Sequence, residues 1–260
     1  MSVNLFVVGP AGVGKSTMVG TFKRWMTLNG FNTVTINLDP GVDKLPYVPD
    51  IDIREWISLS DIMDEYELGP NGAQIVAADL LATKCDELEE VVDGFKADYF
   101  IYDTAGQLEL FAFRSASEVI VNRLGGEKSA IAFLFEPMLT KTPTGFISML
   151  LLSASVHTRF YKPFINILPK IDVLEDEDLE NITKWSDSFD CLYESLISDS
   201  PSMKREFSIE MLKAMESTDL NKSLIPTSSQ NLYGFEDLYS IIQMCFEGGE
   251  DIDNMNDPEE

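Results

Sequence analysis

The chain has 260 residues, of which 45% are hydrophobic, and this length and composition predict one large globular domain, or one domain with an insert. Its 44 acidic residues outnumber 19 Lys and Arg and give a formal net charge of −25, which argues against a nucleic-acid partner, because phosphate backbones are bound by clustered cations. The longest apolar stretch, 147–156, is too short to cross a bilayer, and the three scattered cysteines form no CxxC pair, so we expect a cytoplasmic protein with buried free thiols and no membrane partner.

Apolar runs that alternate with helical patterns predict repeated strand–helix units along the chain. In chain order the predicted strands are 3–8, 33–38, 98–103, 130–135, 164–168 and 224–227, and the predicted helices are 16–28, 72–81, 108–124, 144–160 and 235–246. Strands that are joined in this way by helices form a doubly wound, mostly parallel α/β sheet, which binds ligands at the carboxyl ends of its strands.

Two segments, 40–71 and 175–218, interrupt this alternation. The first contains four prolines, and the second is acidic and helical in pattern, with a break near 198–202. We expect both to be insertions above the ligand-binding edge of the sheet, where loops usually carry function. Residues 1–247 are predicted to form the folded domain, and 248–260, with six acidic residues and no basic one, a disordered tail.

The strongest motif is Gly-Pro-Ala-Gly-Val-Gly-Lys-Ser at 9–16, a full match to GxxxxGK[ST] between the first strand and the first helix. In this context successive backbone N–H groups converge on a phosphate, while Lys15 adds a charge at the β/γ oxygens and the Ser16 hydroxyl can bind Mg²⁺. The sequence therefore predicts an α/β fold of the P-loop NTPase type with helical insertions. Its predicted phosphate-binding residues are Gly12, Val13, Gly14, Lys15, Ser16 and Thr17.

A second motif, Asp-Thr-Ala-Gly-Gln at 103–107, directly follows the third predicted strand. In a P-loop protein an aspartate at this position can hold Mg²⁺ directly or through water, so Ser16 and Asp103 are the candidate metal ligands. The N–H of Gly106 can sense a γ-phosphate, and Gln107 can orient the attacking water.

A third motif, Pro169-Lys170-Ile171-Asp172, ends the fifth predicted strand. In GTPases such a lysine packs along the purine, and the aspartate accepts hydrogen bonds from guanine N1–H and the 2-amino group, which adenine lacks. Proline stands where GTPases place asparagine or threonine, so the residue that braces this loop against the P-loop is missing. Ser228 follows the sixth strand, where GTPases place a base-contacting loop, and is a further candidate nucleotide contact.

The tripeptide Gly69-Pro70-Asn71 would ordinarily be a turn before a helix, with Asn71 as its N-cap. Together with the three motifs above and Asn-Leu-Asp-Pro-Gly at 37–41, it makes the chain resemble the GPN-loop GTPases over residues 3–246. These proteins belong to the dimeric class of P-loop GTPases that includes the signal recognition particle GTPases and the MinD-like proteins. The short single-domain form resembles the archaeal members.

The resemblance implies a Mg²⁺-dependent GTP hydrolase that acts as a nucleotide-switched homodimer, with the loop 69–71 entering the partner's active site. Asn71 would contact the γ-phosphate, or the released phosphate, there. Asp39 would assist the attacking water and the metal shell, and Gln107 would position the water. Ser16 and Asp103 match the Mg²⁺ shell, and Lys170 and Asp172 match the guanine pair. Eukaryotic members are implicated in assembly or nuclear import of RNA polymerase, so the resemblance implies a protein client such as a polymerase assembly intermediate.

Two other functions remain open at this point. A P-loop small-molecule kinase or ligase shares the fold class but needs an acceptor pocket with its own basic residues, whereas the inserts here are acidic or apolar. A module that holds GTP with negligible hydrolysis is disfavoured by Asp39 and Gln107. The sequence identifies no arginine finger, and Pro10-Ala11 offers no second lysine. A neutral amide supplied by the partner would stabilise transition-state charge less than a guanidinium, so slow turnover is expected.

Overall fold

The computed structural model describes residues 2–198, 200–217 and 223–246, and within these ranges the chain forms one seven-stranded, wholly parallel sheet. The spatial order of the strands is β3-β2-β4-β1-β5-β6-β7. The strands are β1 (Val3–Val8), β2 (Thr33–Asn37), β3 (Ile51–Asp52), β4 (Tyr99–Asp103), β5 (Ser129–Leu134), β6 (Phe164–Leu168) and β7 (Leu224–Pro226). The predicted doubly wound parallel α/β sheet is confirmed. The acidic segment 248–260 lies outside the described residues.

Helices cover both faces of the sheet. They are α1 (Lys15–Leu28), α2 (Leu59–Glu65), α3 (Pro70–Thr83), α4 (Cys85–Asp93), α5 (Leu108–Phe111), α6 (Ser115–Gly125), α7 (Pro137–Thr140), α8 (Pro143–Phe160), α9 (Asp176–Asp187), α10 (Phe189–Ser198), α11 (Met203–Glu216) and α12 (Phe235–Phe246), with short 3-10 turns at Ile53–Glu55 and Ile171–Val173. Every residue of β1, β4 and β5 is buried, as expected for parallel strands covered on both faces.

Two apolar layers hold these helices on the sheet. On one face α1 and α12 join through stacked aromatic rings, and the Phe22 and Phe235 ring centres are 5.7 Å apart. The larger layer, on the other face, contains buried side chains from helices along the chain from α3 to α11. Within it Phe146 lies edge-on to Trp185, with the ring centres 5.9 Å apart. Because all strands run parallel, the residues that follow β1, β2, β4, β6 and β7 share one edge, which is where the sequence motifs lie.

Segment 40–71 is not wholly an insertion above the sheet, and that expectation was wrong. Ile51 and Asp52 add the edge strand β3 beside β2, and the buried Ile53 begins the 3-10 turn that leads toward α2. A two-residue strand is too short to show alternation. Asn71 is not the N-cap of the next helix either, because Gly69 holds that position and Pro70 begins α3. A proline fits the first helical turn, where its missing N–H needs no partner.

Three other expectations need correction. The predicted helix 108–124 is two helices, α5 and α6, with Arg114 in an extended conformation as the N-cap of α6. Helices α2, α4 and α7 were not predicted. Of the three free cysteines only Cys85 is buried, whereas Cys191 is half-buried and Cys245 is exposed. Segment 175–218 does contain helices α9, α10 and α11 as its pattern indicated, with Ser198 ending α10 near the predicted break. Among the described residues no helix combines the length and apolar character that a bilayer-crossing helix requires.

Candidate active site

The loop after β1 turns sharply into α1. Gly12 and Gly14 have φ angles of +74° and +108°, a left-handed region that side chains other than glycine rarely adopt. Gly14 is the N-cap of α1, so the N–H groups of the first turn point out of the sheet edge. Within the motif Val13 is buried, Ser16 is half-buried and Thr17 is exposed. A loop of this shape followed by a helix N-terminus binds anions.

Lys15 is almost fully buried and holds two motifs together. Its Nζ donates to the carbonyl oxygens of Gly9 at 2.9 Å and Pro10 at 3.1 Å in its own loop, and of Gly106 at 2.8 Å. Burial lowers the pKa of Lys15 to about 8, although the carboxylates of Asp103 and Asp39 oppose this shift. The ammonium group is thus poorly solvated, which strengthens its attraction for an anion.

Asp39, at the carboxyl end of β2, reaches the same glycine from the other side. Its Oδ2 accepts a hydrogen bond of 2.6 Å from the Gly106 N–H, and its Oδ1 accepts one of 2.8 Å from the Gly41 N–H. Burial raises the pKa of Asp39, while these two donors and the Lys15 ammonium oppose the rise. The peptide groups of Gly106 are therefore held through both their polar atoms, by Lys15 on the carbonyl and by Asp39 on the N–H.

A bracing network behind Asp39 was not found from the sequence. The Asn37 amide donates to Asp52 Oδ1 at 2.9 Å and to the Asp39 carbonyl at 3.2 Å. The Arg54 guanidinium donates to the Asp52 carboxylate, with Nη2 2.6 Å from Oδ2, and its Nη1 donates to the Val42 carbonyl at 2.9 Å. These contacts fix the turn that carries Asp39 to the edge strand β3, whose existence the sequence pattern did not indicate.

Asp103 is 1% exposed, and its two oxygens differ. Oδ2 accepts a hydrogen bond of 3.0 Å from the Tyr47 hydroxyl, whereas Oδ1 accepts none of normal geometry within the described residues. Burial raises the pKa of Asp103 to about 6, and the Ser16 and Tyr47 hydroxyls and the Lys15 ammonium oppose the rise. A buried carboxylate oxygen without a donor, beside a serine hydroxyl, suits a hard cation. Ser16 and Asp103 therefore fit Mg²⁺.

This burial has a measurable consequence for stability. We expect Asp103→Asn to raise the free energy of unfolding of the nucleotide-free protein by about 1–3 kcal/mol above about pH 7. The folded-state pKa of about 6 exceeds the ordinary value of 3.8, so the ionised Asp103 carboxylate destabilises the folded protein. This destabilisation is fully present above about pH 7 and is lost as pH falls through 6 toward 4. Urea unfolding at several pH values measures it, with Asp64→Asn on the exposed side of α2 as the control. A destabilised variant, or a gain that is equal at both ends of this range, would contradict the prediction.

Gln107 and Asn71 are both exposed, and they differ in their contacts. Gln107 precedes α5, and its Nε2 donates to Gln74 Oε1 on α3 at 3.3 Å. Asn71 is the second residue of α3, and its side chain makes no hydrogen bond to any other residue that the structure describes. The structure brings Gln107 to the edge that holds Lys15 and Asp39, and leaves Asn71 facing solvent.

At the other end of the edge, Lys170 and Asp172 are braced in ways the sequence did not show. Lys170 adopts a left-handed conformation, φ +56°, and its Nζ donates to the Gly12 carbonyl at 2.7 Å. The P-loop contact that Pro169 cannot make is thus supplied by the lysine itself. Asp172 accepts hydrogen bonds from the Ser228 hydroxyl and, at 2.8 Å, from the Gln230 amide. Ser228 therefore lies beside Asp172, and Gln230 is an additional partner.

Known proteins share this arrangement. A family model described as "Conserved hypothetical ATP binding protein" matches residues 7–248. GPN-loop GTPase 1 of Dictyostelium discoideum is 32% identical over 200 residues. This match covers 76% of this chain but only half of the length of that relative. A GPN-loop GTPase of Pyrococcus abyssi is 32% identical over 236 residues, covering 90% of this chain and 93% of the relative.

The fold agrees with these sequence matches. The crystal structure of a Pyrococcus abyssi protein, described as a GTPase in apo form, superposes with a TM-score of 0.85 at 29% identity. The match covers 94% of this chain and 98% of that one. Because sequence and structure agree over nearly the whole length of an archaeal relative, the conclusion is direct: the chain belongs to the GPN-loop GTPase family.

Proposed function

We propose that this chain hydrolyses GTP to GDP and phosphate with Mg²⁺, and that it does so as a homodimer. The observation that carries the proposal is the pair of hydrogen bonds at Gly106. Its carbonyl accepts one of 2.8 Å from Lys15 Nζ, and its N–H donates one of 2.6 Å to Asp39 Oδ2. This glycine stands between the P-loop and the end of β2, where a γ-phosphate would lie. A phosphate oxygen there competes for both the ammonium group and the N–H, so the conformation of 103–107 depends on the γ-phosphate.

Asp39 and Gln107 supply the groups that hydrolysis needs. The attacking water has to be oriented in line with the bond between the γ-phosphorus and the β–γ bridging oxygen. The Gln107 amide and the Asp39 carboxylate, at the ends of neighbouring strands, can accept the hydrogen bonds of the water. Burial raises the pKa of Asp39, which makes this carboxylate a stronger proton acceptor.

The metal assignment rests on the chain's own oxygens. Asp103 Oδ1 and the Ser16 hydroxyl would hold Mg²⁺, since Oδ1 is a buried atom without a donor in the described residues and Ser16 lies beside Asp103 in the first turn of α1. When bound, Mg²⁺ neutralises charge on the β- and γ-phosphate oxygens. The Tyr47 hydroxyl donates to the other carboxylate oxygen, Oδ2, and so leaves Oδ1 for the metal.

Guanine preference rests on Lys170 and Asp172. The family description mentions ATP whereas the relatives are named GTPases, so the base has to be decided by the residues that would contact it. The Asp172 carboxylate is aligned by Ser228 and Gln230 and can accept the two donors of guanine. Adenine has neither donor and would leave the carboxylate unpaired.

We expect Asp172→Asn to reverse the base preference from guanine toward xanthine nucleotides by about a hundredfold or more. The asparagine amide donates where xanthine carries a carbonyl, and it clashes with the donors of guanine. The fold should survive, because Ser228 and Gln230 can each present an acceptor to the new amide. Displacement of a fluorescent GDP by GTP, xanthosine triphosphate and ATP measures the preference. Equal binding of ATP and GTP by the unmodified protein would show that the base assignment is wrong and favour a kinase.

A dimer is supported by what surrounds Asn71. This side chain is exposed and without a hydrogen-bond partner in the described residues, and one turn along α3 Ile75 is 43% exposed. The nearby arginines are engaged elsewhere, since Arg54 pairs with Asp52 and Arg114 with Asp79. In this proposal, the partner's Asn71 completes each active site, and turnover is slow because a neutral amide stabilises transition-state charge less than a guanidinium does.

The cellular role follows from family resemblance alone. We propose an assembly or regulatory factor that acts in the cytoplasm, whose affinity for a protein client changes with the bound nucleotide. An RNA polymerase assembly intermediate is the candidate client. Capture from lysate with GDP-loaded and GTP-loaded protein should recover polymerase subunits from one nucleotide state in preference to the other.

Phosphate release from purified protein tests the activity. We expect release from GTP with Mg²⁺, little from ATP, and loss with EDTA. Gln107→Ala should slow hydrolysis while GDP binding persists, whereas Gln230→Ala, which alters only the base end, should leave phosphate release at saturating GTP nearly unchanged. Phosphate release that is independent of Gln107 would overturn its water-orienting role. Transfer of the γ-phosphate to a small molecule instead of water would overturn the proposed hydrolysis.

A further inference from the structure

We propose that Gln74, on α3, is a positioning residue that holds Gln107 of the same subunit in the orientation that hydrolysis requires. The inference rests on the proposed function, because it gives Gln107 the task of orienting water. Its starting point is the hydrogen bond of 3.3 Å from Gln107 Nε2 to Gln74 Oε1. Neither residue type nor spacing singled out Gln74 in the sequence.

Gln107 needs such a partner. It is exposed, precedes the single-turn helix α5, and makes no other side-chain hydrogen bond within the described residues. A glutamine side chain with several free rotations loses substantial entropy when it is fixed on a water molecule. A neighbour that restrains it beforehand lowers that cost during the reaction.

The direction of the bond determines which end of the Gln107 amide is free. Because Nε2 donates to Gln74, the Oε1 atom is left to accept a hydrogen bond from water. A rotated amide would offer N–H groups instead and would compete for the lone pairs with which the water attacks. With Gln74 as its acceptor, the Gln107 amide has the orientation that suits a nucleophilic water.

The Gln74 side chain lies close to the turn that carries Asp39. Its Nε2 lies 3.0 Å from the position that a Cβ on Gly41 would occupy, and its Cγ lies 3.4 Å from it. Gly41 in turn donates its N–H to Asp39 Oδ1. The side chain thus spans from the Asp39 turn to Gln107, the two groups proposed to contact the water.

Helix α3 gives Gln74 a fixed support. Further along the helix, Asp79 takes a two-pronged bond from Arg114, with Nε–Oδ1 at 2.9 Å and Nη2–Oδ2 at 2.5 Å. Gln107 and Arg114 are the two ends of segment 107–114. Because Gln107 bonds to Gln74 and Arg114 bonds to Asp79, helix α3 contacts both ends of this segment. Asn71 and Gln74 are three residues apart and lie on one face of this helix.

A double-mutant cycle tests the proposal with four proteins: the unmodified chain, Gln74→Met, Gln107→Ala and the double variant. Methionine keeps the length of the side chain and removes the acceptor. We expect Gln74→Met to lower kcat for GTP about three- to tenfold, with KM and GDP affinity unchanged. In the Gln107→Ala background the same substitution should have no further effect. Thr83→Ala, at the far end of α3, is the matched control and should match the unmodified chain.

The possible outcomes distinguish failure of the Gln74 role from failure of the proposed function. If Gln107→Ala slows hydrolysis but Gln74→Met does not, the role of Gln74 is wrong and the proposed function stands. If Gln74→Met slows hydrolysis equally with and without Gln107, or raises KM instead of lowering kcat, Gln74 acts through the fold and the inference is overturned. If Gln107→Ala hydrolyses GTP at the full rate, the water-orienting role itself fails.

Discussion

Lys15→Ala is expected to lower GTP and GDP affinity by about a hundredfold or more. The ammonium group is buried, has a lowered pKa and already faces the loop that would cradle the phosphates. An ammonium in such surroundings gains more from a phosphate than an exposed lysine does, because little water competes. Calorimetric titration of the purified protein measures the affinity.

The same substitution also removes three structural hydrogen bonds, to Gly9, Pro10 and Gly106. Thermal unfolding of the nucleotide-free variant therefore has to accompany the titration, so that loss of binding is separated from loss of fold. Lys84→Ala is the matched control, because Lys84 is half-buried and, among the described residues, forms its ion pair with Glu87. Unchanged affinity in a folded Lys15→Ala protein would contradict the phosphate assignment of the loop.

Asn71→Ala is expected to raise the transition-state free energy of GTP hydrolysis by about 1–3 kcal/mol, which slows hydrolysis about 5- to 160-fold. GDP affinity should barely change, because the amide would meet only the position of the γ-phosphate. The free energy of unfolding should also stay unchanged, since the side chain is exposed and makes no hydrogen bond to another described residue.

Single-turnover hydrolysis and GDP titration with the Asn71→Ala protein provide the measurement. Asn231→Ala, at an exposed position near the base end, is a suitable control of the same residue type. A variant that binds GDP much more weakly, or that unfolds at lower temperature, would show that Asn71 supports its own subunit rather than a transferred phosphate.

The sequence predicted the parts of the site that depend on regular spacing. A strand of apolar residues followed by a glycine-rich loop and a helix has one favoured arrangement, so Lys15 and Ser16 could be placed without a structure. Parallel strands bring their carboxyl ends to one edge, which predicted that Asp39, Asp103 and Lys170 would share it. Each of these residues ends or follows a strand that was identified from a run of apolar residues.

Contacts that join distant segments through side chains could not be predicted. The hold of Lys15 on Gly106 and the bond between Gln74 and Gln107 leave no periodic signal in the chain. Pro169 suggested an unbraced base loop, whereas Lys170 reaches the Gly12 carbonyl from a left-handed backbone conformation. Such a conformation is unusual for lysine and is set by the surrounding structure.

Local propensity also failed where tertiary packing decided the outcome. The apolar pattern of 108–124 continues through residues 112–114, where the chain leaves the helical conformation and Arg114 caps α6 while binding Asp79. The strand β3 exists because β2 offers an open edge to Ile51, although two residues have no strand pattern of their own.

The central claim, that each subunit completes its partner's active site, is tested most directly by mixing two inactive proteins. Lys15→Ala subunits should not bind nucleotide but still present Asn71, whereas Asn71→Ala subunits bind nucleotide and lack the amide. In verified heterodimers the nucleotide-binding subunit would receive Asn71 from its partner, so one of the two sites should work. We predict GTP hydrolysis well above that of either variant alone. Heterodimers that form and remain as slow as the parent variants would show that Asn71 does not act across the dimer.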